Sequence, residues 1–163
     1  MNRILLVLFT SLLTYTLTAQ IDVQIVTQSG MADSECDDLF GGAPDPLFGV
    51  SVEGGAFSYY PAELICYNTL PDTVFQASYT CPSEVPVTVE VCLQVMDNDP
   101  LLPPPLSCAI NGECVETICD DFIIPPFGNT IDYTLAIDVP GSSSGTVNFS
   151  IEIDGLAFPD NDL

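Results

Sequence analysis

The residues of this chain that could do chemistry are carboxylates, thiols and one pair of phenols. The carboxylates gather in short runs: Asp33, Glu35, Asp37 and Asp38; Asp97 and Asp99; Asp120 and Asp121; Asp160 and Asp162. Such runs suit a hard divalent cation, because calcium takes carboxylate, amide and backbone oxygens and needs several of them converging on one point. Asp97-Asn98-Asp99 leaves the clearest strand pattern at its C-terminal end, and Asp120-Asp121 precedes what reads as another strand. Asp97, Asp99, Asp120 and Asp121 are therefore the expected calcium ligands, gathered at one rim of the folded body. The competing use of the same side chains is plain solvation, since two carboxylates about 5 Å apart in water repel by only ~0.8 kcal/mol.

The thiols are Cys36, Cys66, Cys81, Cys92, Cys108, Cys114 and Cys119. Cys108, Cys114 and Cys119 lack the paired C-x2-C spacing of a zinc site, so disulfides are expected, in an oxidising compartment. Seven is an odd number, which leaves one thiol free, bonded to another chain, or missing its partner. The connectivity is not readable from spacing. Tyr59 and Tyr60 are neighbours on an expected strand, so one ring must face outward. That ring is the candidate contact for a carbohydrate.

Charge excludes more than it suggests. The chain has 23 Asp and Glu against one Lys or Arg and no His, and the lone cation is Arg3. Binding to a phosphate backbone runs on Lys and Arg, so nucleic acid is excluded as a partner. Attraction to anionic lipid headgroups needs the same residues, so an anionic membrane surface is excluded too. Ser-His-Asp and Cys-His catalysis, His-ligated zinc and P-loop chemistry each require a residue type that is missing. With almost no side chain able to act as a general base near neutral pH, the chain reads as a non-enzyme.

Met1-Asn2-Arg3, the apolar run Ile4 to Leu17 and the small Ala19 before Gln20 have the three-part layout of a secretory signal peptide. Residues 1–19 are expected to be removed, and residues 20–163 to form a single exported domain.

The elements that must position these groups are strands, for the apolar period is two nearly throughout. Val85, Val87, Val89, Val91, Leu93 and Val95 fall on one face, with Pro86, Thr88, Glu90, Cys92 and Gln94 on the other. Ile131, Tyr133, Leu135 and Ile137 alternate with polar residues, as do Val147, Phe149, Ile151 and Ile153. The polar loop Val139 to Gly145 makes these two a long hairpin. Weaker strands are expected at Ile21–Thr27, Leu47–Val52, Ala56–Tyr60 and Thr73–Tyr79, with a tight turn at Gly54-Gly55. Asp97 to Glu113, with Pro100 and Pro103 to Pro105, reads as irregular. One-sided alternation gives each sheet a buried and a wet face, which calls for two sheets packed together. The expected fold is all-β, an antiparallel β-sandwich of about seven to nine strands stapled by disulfides.

Several segments together resemble the N-terminal β-sandwich modules of large secreted surface proteins of Bacteroidota. They are Leu17-Thr18-Ala19-Gln20, Cys36-Asp37-Asp38, Asp45-Pro46-Leu47-Phe48, Tyr79-Thr80-Cys81-Pro82, Gly145-Thr146-Val147-Asn148-Phe149 and the acidic Pro159-Asp160-Asn161-Asp162-Leu163. The resemblance implies an extracellular structural or adhesion module, with further modules following Leu163 as partners in the same surface protein. A fainter similarity is to the calcium-associated sandwich at the N-terminus of Notch ligands. The other readings are a carbohydrate-binding module that contacts glycans through Tyr59 and Tyr60, and a fibre subunit that self-associates by adding Ile21–Thr27 to a neighbour's sheet edge.

Overall fold

The computed structural model describes residues 20–36, 45–61, 67–80, 82–98, 110–126 and 128–155. The expected signal peptide, Asp37, Asp38, Cys66, Cys81, Asp99, the prolines from Pro100 to Pro105, Cys108 and the acidic C-terminal run lie outside these residues.

Among the described residues eight strands follow in chain order: β1 Ile21–Ser34, β2 Pro46–Val52, β3 Ser58–Pro61, β4 Asp72–Tyr79, β5 Thr88–Asn98, β6 Gly112–Ile123, β7 Thr130–Asp138 and β8 Ser143–Gly155. They form two four-stranded sheets, ordered β4-β1-β8-β7 and β3-β2-β5-β6. Every pairing is antiparallel. The fold is the β-sandwich that the alternation demands.

The core is the set of alternate residues. Ile21, Val23 and Ile25 of β1 are fully buried, as are Val91, Leu93 and Val95 of β5 and Val147 and Ile151 of β8. Phe149 lies at their centre, 1% exposed, with the Phe122 ring 4.9 Å away edge-on and Tyr133 at 5.8 Å. Edge-on aromatic contacts of this spacing add ~0.5–1.5 kcal/mol to simple burial. The period does break at one end of β5: Val87 precedes the strand and is 79% exposed.

Three local features depart from the sequence expectation. The β2–β3 turn is centred one residue earlier, on Glu53 (φ 51°) and Gly54 (φ 67°), closed by a 2.9 Å bond from Gly55 N to Val52 O. Positive φ at both central residues is the type I′ geometry whose twist matches an antiparallel pair. β1 runs seven residues beyond its expected end at Thr27 and keeps pairing with β8, from Ser29–Asn148 to Ser34–Ser143, after a register shift. The third departure is β6, which the apolar period conceals. Its inward row, Cys114, Glu116, Ile118, Asp120 and Phe122, and its outward row, Val115, Thr117, Cys119, Asp121 and Ile123, both mix apolar and acidic residues. β6 is an edge strand with only Phe122 fully covered, so burial imposes no clean alternation on it.

Two truncations that the bare apolar period treats alike should separate. Ile151→Ala, in the core, is expected to cost about 2–5 kcal/mol, and Val87→Ala less than about 0.5 kcal/mol. Urea unfolding measures both, and equal losses would contradict this register.

Candidate functional site

The end of β5 places the first expected ligand in the interior. Asp97 is 1% exposed, and its Oδ1 accepts a 2.7 Å bond from the Asp45 amide at the entry to β2. A buried carboxylate is costly unless hydrogen-bonded, and a backbone amide meets that need. Asn98, also buried, works the same rim: its N–H donates to Asp45 O at 3.1 Å, its Oδ1 accepts from the Asn111 amide at 3.0 Å, and its Nδ2 donates to the Tyr67 hydroxyl at 3.1 Å. Asp97 and Asn98 thus clamp the segments entering β2 and β6 to the end of β5.

Asp120 and Asp121 are elsewhere. They lie inside β6 rather than ahead of a strand, opposite Val91 and Glu90, whereas Asp97 pairs with Glu113. Six residues along β5 separate the two positions, roughly 20 Å at strand spacing. The expected calcium set therefore does not converge: Asp97 serves one rim, Asp120 and Asp121 sit toward the other, and Asp99 lies outside the described residues. This donor set does not fit a shared calcium ion.

The phenol pair divides between the two faces. Tyr60 is the inward member, 2% exposed and stacked on Phe48 at 5.2 Å, which removes it as a ligand contact. Its hydroxyl donates to Asp72 Oδ2 at 2.9 Å. Burial, reinforced by the Asp72 carboxylate, pushes the Tyr60 phenol up to about 12. Tyr59 faces outward and is half-buried. It pairs with Gly49, where a Cβ would stand 2.7 Å from the Tyr59 ring, so the ring lies across the glycine. The Tyr59 hydroxyl donates to Gln94 Oε1 at 2.7 Å, and Gln94 Nε2 donates to Thr117 Oγ1 at 3.1 Å. This row crosses all four strands of the sheet. Burial also raises the Tyr59 phenol above its ordinary value.

Four of the cysteines are paired among the described residues. Cys92–Cys119 joins facing positions of β5 and β6 on the outer face, with Cα atoms 4.0 Å apart. Cys36–Cys114 spans 78 residues of sequence and 6.5 Å between Cα atoms. It links the segment leaving β1, in one sheet, to β6 in the other. Cys114 has φ 48° and lies where three β6 steps oppose two β5 steps, between Val95–Glu116 and Asp97–Glu113. Such a bulge re-aims a side chain, here toward Cys36. Cys66, Cys81 and Cys108 lie outside the described residues.

Glu90 is a site residue that the sequence does not single out. Its carboxylate and the sulfurs of Cys92 and Cys119 offer ligand atoms all within 4.8 Å of one another. The signal is the pair of spacings Glu90-x-Cys92 and Cys119-x-Asp121, visible only once β6 is recognised as a strand beside β5.

The chain matches no protein-family model and no curated protein. Among solved structures it is similar to a C2 domain of plant Extended Synaptotagmin 1, at 11% identity and a TM-score of 0.41, over 86% of this chain and 98% of that one.

The Tyr60 phenol makes a pH prediction. It ionises near pH 10 in an unfolded chain and near 12 in the fold. The fold therefore holds this proton more tightly and loses stability as the pH climbs from 10 toward 12. The loss is on the order of 2–3 kcal/mol. Tyr60→Phe should flatten that part of the stability curve in denaturant titrations, and an unaltered slope would remove Tyr60 as its cause.

Proposed function

We propose that this chain is a non-enzymatic extracellular module of structural and adhesive character, built to hold its shape outside the cell. The single observation carrying the reading is the Cys36–Cys114 bond between the two sheets. It encloses β2 to β5 in a covalent loop, so tension on the ends of the sandwich cannot unravel those strands. The bonded cysteines suit an oxidising compartment, and residues 1–19 have the layout of an export signal. A chain with 23 acids and Arg3 as its sole basic side chain suits solubility in a salty medium and repels nucleic acid and anionic lipid. Natural partners on this reading are further modules of the same surface protein. Of the carboxylates expected to bind calcium, Asp97 stands toward one end of the β5–β6 pair and Asp120 and Asp121 toward the other.

The fibre reading loses its donor: Ile21–Thr27 pairs with β4 on one side and β8 on the other, leaving no free edge to add to a neighbour. The glycan reading keeps one foothold, the Tyr59 ring laid outward beside Gln94 and Thr117. On a glycan array, binding abolished by Tyr59→Ala would favour it over the structural reading, which expects a blank array.

The structural reading predicts a force signature. Pulled between Gln20 and Gly155, the oxidised chain should withhold the stretch between Cys36 and Cys114, which stand 78 positions apart. Reduction should release it as roughly 270 Å of added contour length at ~3.5 Å per residue. Equal lengths in oxidised and reduced chains would overturn the mechanical role.

A further inference from the structure

On the outer face of the β5–β6 hairpin, four chemistry-bearing residues stand in a rectangle: Glu90 opposite Asp121, and Cys92 opposite Cys119. Residues two apart on a strand and their cross-strand partners share a face within reach of one another. Among the described residues, Glu90, Cys92 and Cys119 form the group of metal-capable side chains whose ligand atoms lie within 4.8 Å of one another. Glu90 Oε1 is 3.9 Å from Cys92 Sγ. Ligand atoms around a tetrahedral zinc ion, at bonds of ~2.0–2.3 Å, stand roughly 3.3–3.8 Å apart. Only a small opening of the sulfur pair separates the oxidised arrangement from that geometry. Cys119, Glu90 and Asp121 are exposed, while Cys92 is 6% exposed, so the group is approached from solvent on the β6 side.

We propose that Cys92, Cys119 and Glu90 form a zinc-class metal site that the disulfide masks and that reduction opens, with Asp121 or water in the fourth position. A dithiol supplies two electrons and two protons to the sulfur–sulfur bond and is itself oxidised to a disulfide, leaving two thiols on the chain. The divalent ion then displaces both thiol protons and is held by two thiolates and the Glu90 carboxylate. Thiolates favour zinc and related borderline ions over calcium, which distinguishes this site from one built of carboxylates alone. Breaking the disulfide does not scatter the ligands. The backbone pairing of β5 with β6, continuous from Thr88–Ile123 to Val95–Glu116, keeps the three side chains on one face.

The test uses the full chain, oxidised or reduced anaerobically with a water-soluble phosphine that leaves as its oxide, taking its oxygen from water. After removal of the phosphine, each form is titrated with Co²⁺ alone. The reduced chain should bind one equivalent with a thiolate-to-cobalt charge-transfer band, and the oxidised chain none. Glu90→Gln, a surface change that keeps every sulfur, should weaken binding by about tenfold or more, since even groups outside the ligand shell cost that much. Cys92→Ser combined with Cys119→Ser should abolish the band while leaving the Cys36–Cys114 bond to be reduced as before. Circular dichroism checks that each form keeps its strands. No band in the reduced chain, a band surviving the double serine variant, or undiminished affinity in Glu90→Gln would each overturn the site.

Discussion

The interaction on which this structure depends is the burial of one face of each sheet against the other. With 23 carboxylates and one arginine, nearly every side-chain charge pair repels. The ion pairs that help many domains are unavailable to this one. Net attraction between the layers has to come from apolar area removed from water, about 25 cal/mol per Å². The alternate residues of β1, β5 and β8 supply it, and the packing of Phe122, Tyr133 and Phe149 fills the centre.

That constraint also governs where the acids stand. Most of those among the described residues lie on wet faces and in turns, where water and dissolved salt screen them. Asp22, for example, is held below the usual carboxylate range by hydrogen bonds from Ser78 and Gln20 on the surface of β1. Among the described residues Asp97 is the buried exception and shows the remedy. With no cation to meet it, the buried carboxylate takes a backbone amide instead. Asn98 next to it satisfies three further groups, among them the Asn111 amide at the entry to β6. At the rim that the sequence suggested for calcium, Asp97 and Asn98 are met by the chain's own polar atoms.

The two sulfur links among the described residues act on different levels. Cys36–Cys114 joins one layer to the other over a long stretch of sequence, and it depends on the β6 bulge to aim Cys114. Cys92–Cys119 reinforces a pairing that the strand ladder already makes, adjacent to Glu90. The first constrains the fold. The second sits where its loss would leave the architecture in place and expose ligand-bearing side chains, which is why it is the one that can carry chemistry.

Residue order alone determined the fold class, seven of the eight strands and the identity of most core residues, because alternation of period two is a local property that burial enforces. It determined equally that one of Tyr59 and Tyr60 must be inside, without saying which. Tertiary structure decided everything that depends on which strand lies beside which. It hid β6, whose edge position relaxes the pattern that marks its neighbours. It separated Asp97 from Asp120 and Asp121 through the pairing register, and it selected sulfur partners across 78 and 27 residues of sequence. It also brought Glu90 beside Cys92 and Cys119. The physical reason is that strand pairing is non-local: each residue's alternation records which face it occupies, and only the assembled sheets record what it faces across the gap.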